Sequence, residues 1–207
     1  MIWQEYYNQY LISLEETKQR LSRREQEHLN QWGWSFWIAE EFTFGYFQNL
    51  LKTEPDLITE LSHLSDEDIQ WFIDALADEQ SKWFALYLIV KVQPLPESMF
   101  SALIQAAVNE TNPSLNEHFI GVAYDRFGLR RVAEALIKYI ERGTDVEEKL
   151  ASAFYWVTVG AGSRPEEREE LLAFYKTVAT NPDYSDTVRQ CIQVNYARLA
   201  YHKVANN

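Results

Sequence analysis

Apolar residues fall along this chain at intervals of three, four and seven over most of its length, the period of amphipathic helices. Trp3, Tyr7, Tyr10, Leu14, Leu21, His28 and Trp32 trace one such line. They predict a long helix from the start of the chain to about residue 30, broken near Ser22. The stretch Trp83-Phe84-Ala85-Leu86-Tyr87-Leu88-Ile89-Val90 is different, because it is apolar in every helical direction. A helix of that composition must be surrounded on most sides, and it is far shorter than the about 20 residues that cross a bilayer.

Between these two elements lies Trp32 to Phe47, which is half aromatic. Its alternation would also suit strands, but Ile38-Ala39-Glu40-Glu41 lacks the turn residues of a tight hairpin. A helix running to about Leu51 is the better reading. Pro55 opens a short turn through Leu61. Ser65-Asp66-Glu67-Asp68 then starts a helix to about Ala77, with a capping hydroxyl and acids in its first turn. Ile69, Phe72, Ile73 and Leu76 form its apolar face.

From Ser65 onward the helices come in pairs, over 65–93, 96–128, 129–160 and 166–204. Asn112-Pro113, Gly128, Gly143 with Thr144-Asp145, the Gly160–Pro165 connector and Asn181-Pro182 punctuate them. Inward positions recur with the pairs: Ile73, Ile104, Ile137 and Tyr175 are spaced by 31, 33 and 38 residues, and so are Leu76, Ala107, Ile140 and Val178. A helix pair at that period is how an α-solenoid is built. This spacing resembles the HEAT-like and armadillo-like repeats, over about residues 65–204, without any family-defining motif. The resemblance implies an all-α, α-α superhelix of about four pairs, whose second helices line a protein-binding surface. Residues 1–64 would then be an aromatic-rich N-terminal helical cap on a repeat region 65–207, the two forming one continuous domain.

Composition supports a folded helical chain. The 207 residues are 46% hydrophobic and 14% aromatic, with only seven Gly and six Pro. The charge sharpens the picture of partners. Residues 1–64 hold ten acids and five bases, 65–128 ten and three, and 129–207 eleven of each, so the net −12 arises before residue 129. Bases are too sparse there for a phosphate-binding stripe, which argues against nucleic acid and for a basic protein partner. No basic and apolar leader is visible at the start of the chain, and no membrane span, so a cytoplasmic setting is expected. The only cysteine, Cys191 in an apolar context, reads as a core residue.

Candidate chemistry is thin. Glu25-Gln-Glu-His28 and Glu60-Leu-Ser-His63 have the Glu-x-x-His step of di-metal helical bundles, and Glu40 or Glu41 could add a carboxylate. Their surroundings are too polar for a bundle interior, and no fourth group is apparent. Gly160-Ala161-Gly162-Ser163 lacks the Lys of a phosphate loop. No nucleophilic arrangement stands out, so the expectation is a non-catalytic protein with no cofactor and no bound metal. One surface feature remains: on the 65–77 helix Trp71 falls opposite the apolar face, among Glu67, Asp74 and Asp78. That group could anchor a Lys- or Arg-rich partner, or Trp71 could simply pack on the N-terminal helices. The function expected is a scaffold, adaptor or inhibitor that binds protein. Two alternatives stand beside it: an immunity- or antitoxin-type inhibitor of a basic enzyme, and a small-molecule- or metal-binding helical protein using residues 32–47.

Overall fold

A computed structural model describes residues 2–34, 37–143 and 147–205. The described residues form twelve α-helices and one π-helical turn, with no strand. None of these helices is long and apolar enough to cross a membrane. The chain divides into two compact units, Met1–Ala102 and Leu103–Asn207. Phe36 and the Thr144-Asp145 helix start lie outside the described residues.

The first unit begins with α1 (Ile2–Arg20) and α2 (Arg23–Trp32). They separate at Ser22, whose hydroxyl accepts the Glu25 N–H while the Glu25 carboxylate accepts the Ser22 N–H, a capping box that starts a new helix. Gly33, at φ 121°, ends α2. The single helix expected through residues 32–51 is therefore interrupted, and resumes as a π-helical turn (Trp37–Phe42) leading into α3 (Thr43–Thr53). A short α4 (Leu57–Leu61), α5 (Asp66–Ala77) and α6 (Lys82–Ile89) follow.

Helix α6 is the centre of this unit. All of its residues are buried except Tyr87, which is half-buried. Helices α3 and α5 both pack on it, and the Phe84 ring lies 5.2–5.5 Å from those of Tyr7, Tyr10 and Phe47. Lys82, also buried, keeps its charge paired by reaching Glu79 at 2.6 Å. Helix α5 carries the second capping box, between Ser65 and Asp68. Its buried stripe is Phe72, Ala75 and Leu76, with Ile69 and Ile73 half-buried. The stripe is thus turned towards α1 relative to the expected face, because Trp3 and Tyr7 cover that side.

The division between the units falls within α7 (Met99–Asn109). The second unit continues through α8 (Asn116–Phe127), α9 (Leu129–Glu141), α10 (Glu147–Gly162), α11 (Pro165–Thr180) and α12 (Asp186–Ala205). Gly128 alone joins α8 to α9, at a φ of 88° that an L side chain rarely adopts. Adjacent helices α9 and α10, and α11 and α12, pack as pairs. Helix α10 also packs on α8 and on α12, and α9 packs on α11. Phe119, Ala123, Val132, Leu136, Phe154, Val157, Leu171, Val178 and Ile192 fill the space between them. Helices α8 and α10 approach closely at Gly160, where an added Cβ would stand 2.7 Å from the Tyr124 ring.

Two buried tyrosines make a matched test of this packing. The Tyr10 hydroxyl bonds to Thr43 at 2.9 Å, and burial pushes its pKa up to about 12 despite that bond. Among the described residues the buried Tyr175 hydroxyl has no hydrogen-bond partner in good geometry; burial raises its pKa, and the nearby Thr158 hydroxyl offsets only part of that rise. A satisfied hydroxyl contributes about 1 kcal/mol, whereas an unsatisfied one costs desolvation with nothing returned. Urea denaturation should therefore show Tyr10→Phe less stable by about 1 kcal/mol. Tyr175→Phe should be unchanged or more stable by up to about 1 kcal/mol.

Candidate functional site

The charge follows the division of the chain. Residues 1–102 hold seventeen acids and seven bases, a net −10, while residues 103–207 hold fourteen and twelve. Several of the seven bases are already matched locally: Lys18 with Glu15, Arg20 with Glu16, Arg23 with Glu27 and Lys82 with Glu79. The first unit therefore presents an acidic exterior.

The four residues singled out, Glu67, Trp71 and Asp74 on α5 and Asp78 at its C-terminal cap, have different surroundings. Glu67 and Asp74 are exposed, and Asp74 accepts a hydrogen bond from Gln70 at 2.8 Å. Asp78 is exposed too, but its carboxylate accepts the N–H groups of Gln80 and Ser81 and the Ser81 hydroxyl, at 2.8–3.1 Å. Burial alone would raise its pKa; the bonds from Ser81 and Gln80 and the charge of Lys82 outweigh burial and hold it below the usual range. Asp78 thus organises the turn into α6. Trp71 is half-buried, with its ring 5.1 Å from Phe72, 6.2 Å from Phe84 and 6.4 Å from Tyr7. Its indole N–H donates to Gln4 on α1 at 3.2 Å. This is the packing on the N-terminal helix given above as its second reading.

A further acidic grouping was not apparent in the sequence. Tyr6, on α1, has its pKa raised by burial and then by Glu54, Glu60 and Glu5. These acids come from the end of α3, from α4 and from α1. No helical spacing relates them, so no local signal could have placed them together.

The aromatic segment borders two clefts of about 580 and 590 Å³ that share Trp37 and Glu41. The first lies along α1 and α3, with Arg20, Phe42, Tyr46 and Asn49 in its walls. The second lies along α2, with Leu21, Arg24, Glu25, His28 and Leu29. The π-helical turn that presents Trp37 and Glu41 has a visible cause. The Thr43 hydroxyl donates to the carbonyl of Ile38, five residues back, at 2.5 Å. With that proton used, Tyr10 must donate the 2.9 Å bond between Tyr10 and Thr43, and Thr43 is fully buried. A widened turn whose carbonyl is met by a buried side chain is a built feature, and such turns recur at functional sites.

The two Glu-x-x-His steps do not converge. Glu25, His28 and Glu41 line one cleft, but the Glu25 carboxylate bonds to the Ser22 N–H and hydroxyl. His63, just beyond α4, bonds through Nδ1 with the Thr59 carbonyl on that short helix. The side chain of Glu40 lies outside the described residues. Among the described residues, no three His, Cys, Asp or Glu side chains gather as a metal site would require. Cys191 is half-buried, and burial raises its thiol pKa, so it lacks the lowered pKa of a reactive cysteine.

Comparison with known protein families, curated proteins and solved structures finds no match to this chain.

Proposed function

We propose that this chain is a non-catalytic, protein-binding helical repeat whose acidic first unit docks a basic protein. The observation that carries the reading is the concentration of charge, −10 of the −12, within one compact unit whose bases are largely matched by neighbouring acids. A surface of one sign raises the encounter rate with an oppositely charged partner and disfavours like-charged competitors. The repeat assignment, of HEAT-like type, is supported by the second unit. There α8, α10 and α12 contact one another in succession and α9 contacts α11, as stacked pairs would. An inhibitor that neutralises a basic enzyme is the form of this function in which such a field is most useful.

The test is capture from the native host, read by charge reversal. Glu67→Lys with Asp74→Lys changes two exposed acids and spares Asp78, which holds the α6 turn. The wild type should retain a basic protein. The double variant, folded by circular dichroism, should associate with it about tenfold more slowly and with a weaker salt dependence. Trp71→Ala is expected to lower stability by about 2 kcal/mol, since it removes a half-buried ring from the α1 contact. It should leave the association rate unchanged. A captured partner that is acidic, or one indifferent to the double reversal, would overturn the assignment.

A further inference from the structure

The clefts at the π-helical turn are not used by the partner surface on α5, and their chemistry points elsewhere. Trp37 and Glu41 are four residues apart on that turn and line both clefts. Trp37 is half-exposed, with Trp34 at 89° and 5.5 Å along one side and Phe42 at 5.7 Å. These contacts hold the indole in place while leaving part of it open to the clefts. Leu21 and Leu29 add apolar wall to the second cleft.

The charges in the walls can be sorted by what they already do. Arg20 pairs with Glu16 at 3.1 Å, and the Glu25 carboxylate is held by Ser22. Among the described residues Glu41 and Arg24 form no ion pair, and both are exposed. Glu41 faces both clefts, whereas Arg24 faces only one. Arg24 has a long stem that can turn its charge to water, as exposed arginines do. The net −10 of this unit opposes an anion in either cleft.

We propose that this pair of clefts is a binding site for a small planar aromatic cation, stacked on the Trp37 indole with its charge at the Glu41 carboxylate. An indole face is the most favourable side-chain partner for a cation. Each cleft, at about 580–590 Å³, is within the size range of sites for organic ligands and exceeds what one guanidinium or ammonium group would fill.

Proflavine is a suitable probe, because it is planar, cationic and fluorescent; the full-length chain is titrated by fluorescence anisotropy. Saturable binding at one site is expected, weakened at least tenfold by Glu41→Gln and by Trp37→Leu. Arg24→Gln should tighten it two- to fivefold by removing a repelling charge. Asp74→Asn, on the separate α5 surface, should change it by less than twofold. Circular dichroism checks the fold of each variant; if Trp37→Leu unfolds, Trp37→Phe takes its place and should weaken binding by a smaller factor. The proposal fails if Glu41→Gln binds proflavine as the wild type does, or if Arg24→Gln weakens binding. It also fails if Asp74→Asn acts as strongly as Glu41→Gln, since the dye would then be responding to diffuse charge. Equal binding of the anionic planar dye anilinonaphthalene sulfonate at the same site would overturn it too.

Discussion

Phe84→Ala should destabilise the first unit by about 3–5 kcal/mol, the range for removing a buried aromatic side chain when the surroundings cannot collapse. Phe84 is fully buried, and among the described residues its ring meets aromatic residues of α1, α3 and α5 together: Tyr7 and Tyr10, Phe47, and Trp71. Each of those rings is held by its own helix, so the void left by Phe84 cannot be filled by a single side-chain rotation. Urea denaturation with the slope and midpoint fitted together is the measurement. Leu86→Ala and Ile89→Ala, at 3% and 0% exposure, should each lose about 2–5 kcal/mol. Leu86→Asp should leave no folded unit, because an unpaired carboxylate there costs more than the stability of a typical domain can absorb. A loss below about 1 kcal/mol for Phe84→Ala would mean that α6 is not the centre of the packing.

Asp68→Ala should cost about 2–3 kcal/mol, although Asp68 is only partly buried. One carboxylate oxygen accepts the N–H and the hydroxyl of Ser65, at 2.9 and 2.6 Å, which completes the cap of α5. The other accepts the indole N–H of Trp3 at 2.7 Å, and Trp3 is 1% exposed. Removing the carboxylate therefore loses the cap and leaves a buried donor without its partner. The loss should depend on pH. Burial would raise the Asp68 pKa, but the bonds from Ser65 and Trp3 outweigh it and the net shift is downward. A carboxyl whose pKa is depressed on folding stabilises above its unfolded value, near 3.9, and that stabilisation fades as pH falls through the depressed folded value. Denaturation midpoints of wild type and Asp68→Asn should therefore differ at neutral pH and converge in acid. A difference that persists in acid would show that shape rather than charge was responsible.

The helices of this chain were legible because their causes are local. Ser65 with Asp68 three residues on, Pro55, Gly128 and Asn181-Pro182 act on their own neighbours, and the observed boundaries fall beside them. The apolar run at residues 83–90 was enough to expect a surrounded helix, since no orientation of it avoids burial. Residues 32–51 were less legible. Their aromatic density obscured any single face. The π-helical turn depends on Thr43 being held by Tyr10, thirty-three residues earlier in the chain, a pairing that periodicity does not contain.

The same contrast separates the two candidate surfaces. The charge excess was countable from the residues alone, because like charges on one stretch of chain need no fold to be summed. Which acids remain free at the surface was decided by tertiary structure. Glu67 and Asp74 face water, Asp78 is drawn into a turn, Asp68 is bound by Trp3, and Glu54 and Glu60 gather at Tyr6. Trp71 shows the limit most directly. A helical projection places it opposite Ile69 and Ile73, but a projection cannot say where a second helix will lie, and α1 covers that side. The sequence by itself determined an all-helical chain with an acidic first part and a buried α6, through short-range capping, composition and period. Only the tertiary structure decided the side α1 takes on α5, the turn at Trp37 and the clefts beside it, because each depends on contacts between residues far apart in the chain.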